Sequence, residues 1–194
     1  MELLLTEKKS KTALPNIMRA AIHNFVKKGI DGTTVEDIAR GAGVAEGALY
    51  RHFKGKDELA WHLFSTHLNQ FTTDLMAKVL SESGLKGRLR VLVHECFAAF
   101  ESDRDLFTFL ILTEHRELQK YPESHMHPGH VALKIVEDGQ KEGVARKGTP
   151  YLWASLIIGA LIRACIVRMY GRIKTDLRKH SEEVSDALWS MVKE

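Results

Sequence analysis

Apolar residues recur along most of this chain at intervals of three and four, and the two-residue alternation of a half-buried strand is almost absent. The first stripe, Ile17, Ala21 and Phe25, predicts a helix that takes Pro15 into its first turn, runs to about Lys28 and stops at Gly29. Thr33 and Glu36 form a capping-box pattern ahead of a short helix carrying Ile38 and Ala39. Gly43 breaks that helix, and a second short one is expected over about 45–53. A long segment from Asp57 to about Ser83 carries Leu59, Leu63, Phe64, Leu68, Phe71, Leu75 and Val79 on one stripe. Leu89, Leu92, Val93, Cys96, Phe97 and Phe100 repeat the period, and Ser102-Asp103 cap a helix through Leu106, Phe107, Leu110 and Ile111. Residues 116–129 read as a polar connection punctuated by Pro122, Pro128 and Gly129. A helix with Val131, Ile135 and Val136 ends near Gly143. Thr149-Pro150 open a long apolar helix that ends at Tyr170-Gly171, and an amphipathic helix from about Ser181 closes the chain. The expected fold is all-α, with about nine helices.

Composition narrows the class. With 44% hydrophobic and 27% charged residues, the 194-residue chain can bury a substantial core. Met1–Leu5 is too short for a signal-peptide core. Cys96 and Cys165 lack CxxC spacing and sit in apolar helical patterns, so they read as reduced, buried thiols of an intracellular protein. The net charge of +3 is unevenly spread: residues 1–56 carry ten Lys/Arg against six acids, whereas 57–194 carry 18 against 19. A basic amino-terminal segment on a near-neutral body suits a phosphate-facing module on a carrier domain, and an ordinary solvated surface gives the same count. The domain reading is accordingly 1–56 and 57–194.

The most informative stretch is Thr33–Leu59, TTVEDIARGAGVAEGALYRHFKGKDEL. Two short helices joined by a Gly-containing turn make a helix-turn-helix, with Ile38, Val44, Leu49 and Phe53 as shared core and Ala39 small where the helices cross. The second helix would enter a major groove by its amino-terminal end. The pattern T-T-x-x-x-I-A-x-x-A-G-V-x-x-G-x-L-Y-x-H-F-x-x-K-x-x-L resembles the signature of the tetracycline-repressor (TetR) family. It is carried by Thr33, Thr34, Ile38, Ala39, Ala42, Gly43, Val44, Gly47, Leu49, Tyr50, His52, Phe53, Lys56 and Leu59. With the preceding helix, the resemblance covers about residues 12–60. It implies an amino-terminal three-helix DNA-binding domain, a larger helical domain for effector binding and dimerisation, and a cytoplasmic regulator of bacterial transcription. By the same resemblance Thr34, Tyr50, His52 and Lys56 contact phosphates, and Ala45, Glu46, Gly47 and Ala48 read bases, flanked by Val35 and Arg51. Tyr50 and His52 also fit an amphipathic packing role. Ala45 departs from the usual capping residue, and Glu46 is either a specificity element or a solvated acid. Lys8, Lys9 and Lys11 form either a DNA-following arm or a frayed terminus.

The rest of the chain carries weaker signals. Tyr151–Tyr170 is apolar nearly all round but interrupted by Ser155, Arg163 and Arg168. Its longest uninterrupted apolar run, Leu156–Ile162, is far short of a bilayer span, so no membrane partner is expected. Leu156, Gly159, Ala160 and Arg163, with Val184, Leu188 and Met191 of the last helix, resemble the family's two-helix contribution to a homodimer. A buried core helix is the alternative. A twofold dimer implies an inverted-repeat operator. The resemblance also implies an apolar pocket for a small-molecule effector, with Phe64, Phe71, His94, Phe97, Phe107 and Trp153 as candidate walls. His125, His127 and His130, with His115 upstream, could gather a metal, but nothing in their spacing forces convergence; no metal or cofactor is expected. The chain has no GxSxG, phosphate loop, HExxH or CxxC, and no enzyme activity is expected.

Overall fold

A computed structural model describes the backbone of residues 2–117 and 126–194, and side chains at 13–114 and 126–194. The expectations for the side chains of Lys8, Lys9, Lys11, His115 and His125, and for the connection around Pro122, lie outside the described residues. The described residues form nine α-helices: α1 (Glu2–Lys28), α2 (Val35–Ala42), α3 (Glu46–Tyr50), α4 (Lys56–Ser81), α5 (Gly84–Ser102), α6 (Arg104–Glu117), α7 (Pro128–Lys141), α8 (Pro150–Met169) and α9 (Ser181–Val192). A 3-10 turn, Leu177–His180, precedes α9. The extended pairing recorded among them is one isolated antiparallel bridge, Ala145 to Lys193.

These helices divide into two compact units, Met1–His67 with Thr108–Tyr121 and Leu68–Phe107 with Pro122–Glu194. Both α4 and α6 belong partly to each unit. The sequence boundary at 56/57 therefore falls in the first turn of a continuous helix, and compactness divides the chain further on.

In the first unit the expected stripe of α1 is buried at Ile17, Ala21 and Phe25, and the Phe25 ring stacks on Phe109 of α6 at 5.7 Å. Pro15 lies inside α1 rather than in its first turn, because the helix extends back to Glu2. Its missing N–H removes one bond of the ladder, a local weakness within an otherwise continuous helix. The cap of α2 is also shifted by one residue. Thr34 is the N-cap, its hydroxyl accepts from Asp37 N–H at 3.0 Å, and the Asp37 carboxylate accepts from Thr34 N–H at 3.2 Å. Thr33 is instead buried and donates its hydroxyl proton to Gly29 O at 2.7 Å. Gly43 ends α2 at φ +66, a left-handed conformation that costs a side-chain-bearing residue about 1–2 kcal/mol. Val44 N–H then donates back to Ala39 O at 3.0 Å.

In the second unit α5 packs against α7, α8 and α9. Leu89, Leu92, Val93, Phe97 and Phe100 are fully buried; Cys96 is only half-buried and Cys165 is buried, both as free thiols. Burial pushes the Cys165 thiol up to about 12, far from thiolate chemistry at neutral pH. The α5–α7 approach depends on Gly139, where a Cβ would meet Leu85 Cδ2 and Ala145 Cβ at 3.0 Å. Arg88 of α5 meets Asp138 of α7 at 2.8 Å, and Lys134 meets the same carboxylate at 2.6 Å.

The ends of α5 and α8 are joined by a buried carboxylate. Glu101, whose side chain is 1% exposed, accepts from Arg168 Nε at 2.8 Å and from Leu177 N–H at 3.0 Å, and also pairs with Arg104. Burial by itself would raise this carboxyl. The two guanidinium groups and the Leu177 amide outweigh it and hold the group below the ordinary carboxylate range. Arg168 is thereby withdrawn from the apolar surface of α8. That helix of 20 residues has a mean hydropathy of 1.8 over its best window, so by length and composition alone it is long and apolar enough to cross a membrane.

Candidate nucleic-acid interface

The helix-turn-helix is built by α2 and α3, whose inner faces close on a shared core. Ile38 and Leu49 are fully buried, Ala39 and Phe53 nearly so, and Val44 is half-buried. Helical periodicity decides which residues of α3 remain outside. Ala45, Glu46, Gly47, Tyr50 and Arg51 are exposed, together with His52 in the following turn. Ala48, expected to read bases, is 6% exposed: it lies beside Leu49 on the inner face and belongs to the core. Thr34 is exposed and Val35 half-buried at the start of α2.

The outer surface is prepared in three ways. Ala45 is the N-cap of α3 and supplies no side-chain acceptor, so no side chain caps the amides that open this helix. Gly47 has φ in the ordinary helical range, and a Cβ there would meet nothing within 4 Å. Glycine in a helix is unfavourable by about 0.5–1 kcal/mol against alanine. The protein interior therefore supplies no reason for this one. Tyr50 is 55% exposed, a large amphipathic side chain standing out from the same face.

Lys56 was expected to meet phosphate, and in the structure its ammonium already donates to the carbonyls of Asp31 at 2.9 Å and Thr33 at 2.8 Å. It ties the start of α4 to the loop before α2, leaving one of its three N–H donors for another partner. Asp37 is a second organiser that sequence reasoning missed. Besides the cap it meets Lys28 of α1 at 2.9 Å and Arg40 at 2.5 Å. The Lys28 hydrogen bond, then the Thr34 amide, hold its carboxyl at about 2. The signal was present as a threonine three residues before an acid, in the register next to the one chosen.

The residues expected to line an effector pocket come from both compact units. Phe71 and Phe107 meet edge to face with centroids 5.0 Å apart, and Phe97 is fully buried, all three in the second unit. Phe64 is fully buried in the first unit, near Trp61. His94 is exposed beside Glu95, pointing out of α5 rather than in, because its neighbours Leu92, Val93 and Phe97 take the inner positions. Trp153 donates to Lys147 O at 3.4 Å across the loop before α8.

Part of the expected dimer surface is exposed in the single chain. Leu156, Gly159, Ala160 and Arg163 form an uncovered stripe on α8, with Leu152 one turn before it. On α9, Val184 and Met191 are half-buried. Leu188 is 4% exposed and belongs to its own core, since it shares the inner stripe with Ser185 and Val192. Of the histidine group, His127 and His130 make a capping box for α7. His127 Nδ1 accepts from Gly129 N–H and His130 Nδ1 from His127 N–H, both at 3.2 Å. Burial, then the neighbouring His130, lower the His127 pKa. Among the described residues no three metal-ligating side chains converge.

Among the described residues, nine helices with a helix-turn-helix ahead of an apolar helical body define an all-α protein of the helix-turn-helix class. The profile of the bacterial regulatory proteins of the tetR family matches residues 17–63, the stretch that holds the helix-turn-helix. Among relatives, a Mycobacterium tuberculosis protein named as a mycofactocin biosynthesis transcriptional regulator is 32% identical over 59% of this chain and 58% of its own. The transcriptional repressor KstR2 of the same organism is 34% identical over 44% of this chain and 42% of its own. The chain spans about half the length of the curated relatives it matches. The crystal structure of the regulator FadR from Bacillus subtilis, in complex with stearoyl-CoA, superposes with a TM-score of 0.74 at 22% identity, covering 91% of this chain and 98% of its own. That likeness shows the fold.

Proposed function

We propose that this protein is a DNA-binding transcriptional repressor that acts as a homodimer on an inverted-repeat operator and is released by a small-molecule effector. The observation that carries the reading is Gly47, with Tyr50 beside it. A glycine that nothing inside the protein requires stands on the exposed face of α3, where a groove wall would exclude a side chain. Ala45, Glu46 and Gly47 are the base-facing residues, with Arg51 at the edge; Thr34, Tyr50, His52 and the remaining Lys56 donor hold phosphates. This work belongs to residues 1–56, and effector binding and dimerisation to 57–194, in the cytoplasm.

A second copy covers the exposed stripe of α8 at Leu156, Gly159, Ala160 and Arg163, joined by Val184 and Met191 of α9. A stripe of small and apolar residues this long is unfavourable in water and suits a close helix–helix approach. Effector binding falls to the aromatic side chains of the body, Phe71, Phe97 and Phe107. Stearoyl-CoA, held by the Bacillus subtilis neighbour, is the first compound to try. An effector moves the dimer off DNA only as far as its affinities for the two states differ; a swing from 99:1 to 1:99 needs about 5.5 kcal/mol.

The test is selection of bound duplexes from a random library by the full-length protein, with Tyr50→Ala in parallel. Enrichment of an inverted repeat that Tyr50→Ala fails to retain supports the reading. A folded dimer that enriches no motif, with and without stearoyl-CoA, contradicts it.

A further inference from the structure

The first turn of α7 is closed by two imidazoles. His127 is the N-cap, and its Nδ1 accepts from Gly129 N–H at 3.2 Å. His130, three residues on, accepts from His127 N–H through its own Nδ1, also at 3.2 Å. Pro128 at the start of the helix has no N–H, and His130 N–H donates to His127 O at 2.8 Å. Gly129 N–H therefore depends on the His127 ring. That ring is also seated on the backbone it caps. A Cβ at Gly129 would meet His127 Cε1 at 2.6 Å and Nδ1 at 2.9 Å, so the glycine makes room for it.

An imidazole nitrogen accepts a hydrogen bond only while it carries no proton. Both rings are thus neutral with their hydrogen on Nε2, and they lie half-buried with centroids 4.1 Å apart. Protonating either ring turns its Nδ1 into a donor facing an amide donor. It also sets a cation beside the positive end of the helix dipole, and a second proton sets two cations against each other. All three effects oppose protonation of the closed turn.

The surrounding charges do not reverse that sign. Helix α7 packs against α5 and α8. The charged or titratable groups of α5 are Lys86, Arg88, Arg90, His94, Glu95, Cys96 and Glu101; Glu95 is held by Lys78, and Glu101 by Arg168. Those of α8 are Arg163, Cys165 and Arg168, with no acid among them. On α7 itself Asp138 is held by Arg88 and Lys134, and Glu137 stands about two turns beyond His130. Burial, then the charge on His130, hold His127 below its ordinary 6.5. The cap is therefore complete above 6.5, and its contribution is lost as pH falls from there toward the lower folded-state value.

We propose that His127 and His130 form an acid-released latch, which holds the first turn of α7 closed while both rings are neutral and lets it open when they are protonated. Val131, Ala132 and Leu133, buried directly behind the cap, carry that opening into the packing of the second unit. The latch needs neither DNA nor effector and stands apart from the function proposed above.

The experiment follows amide hydrogen exchange of the full-length protein from about pH 8 to about pH 5, corrected for the intrinsic pH dependence of exchange. Protection of the amides of Gly129, His130 and Val131 is expected to fall about fivefold, the loss of one cap, while residues 135–140 keep theirs. The double variant His127→Asn, His130→Gln keeps both acceptors without a titrating ring, and its protection is expected to stay constant with pH. A wild type equally protected across the range overturns the latch. So does a double variant that loses as much protection as wild type, which would place the titrating group elsewhere. Imidazole nitrogen chemical shifts of wild type test the inference without any variant. Unprotonated Nδ1 atoms in both rings at about pH 8 support it, and a proton on either Nδ1 there overturns it.

Discussion

Gly47 and Asp37 illustrate opposite uses of a single residue. Gly47 sits in open space, so Gly47→Ala is expected to leave the unfolding midpoint unchanged or slightly raised, by as much as about 0.5–1 kcal/mol of helix propensity. Operator affinity is expected to fall at least about tenfold, roughly 1.4 kcal/mol, as the new methyl meets the DNA. Melting and gel-shift measurements on the same preparation check this; unchanged affinity would show that DNA does not approach that face. Asp37 is internal in its effect. Its carboxyl lies at about 2 against an ordinary 3.8, so its contribution is complete above the ordinary value and is lost as pH falls between them. The melting difference between wild type and Asp37→Asn should be largest near neutrality and shrink as pH falls through that interval. A difference constant with pH would show that the ion pairs with Lys28 and Arg40 contribute nothing.

Among the helices, the junction of α5, α8 and the following loop rests on Glu101. Removing one partner of a buried, hydrogen-bonded ion pair costs about 3–5 kcal/mol, because the remaining charges stay desolvated. Glu101→Gln leaves Arg168 without its counter-charge and weakens the hold on Leu177. It is expected to lower stability by an amount in that range in denaturant unfolding, and a loss under about 1 kcal/mol would mean that the pair is well solvated. The helices themselves were legible: the stripes of α1 and α7 read from spacing are buried, as are those of α4 and α5 apart from the half-buried Phe71 and Cys96. The caps were less so. Two adjacent threonines, each followed three residues later by an acid, offered two registers, and only burial of Thr33 against Gly29 O decided between them. Likewise Pro15 looked like a helix start because proline suits a first turn, and nothing local revealed the helix before it.

At the scale of the whole molecule, α8 presents Leu156 and Ala160 outward, and a second copy is the proposed cover. Leu156→Glu with Ala160→Glu should leave the protomer folded, since both positions are exposed, yet shift sedimentation from dimer to monomer. Operator binding would fall with it. A dimer that persists would move the interface elsewhere. The sequence alone determined the all-helical architecture and the helix-turn-helix, because periodicity, turn glycines and a dense local motif are written within short stretches of chain. Which residues face outward was decided by the tertiary structure. Ala48 and Leu188 turned inward, His94 turned outward, Lys56 closed on backbone carbonyls, and Arg168 folded back to Glu101. The physical reason is that a side chain's role depends on its partner, and those partners stand from four to 67 positions away, beyond the reach of a local pattern.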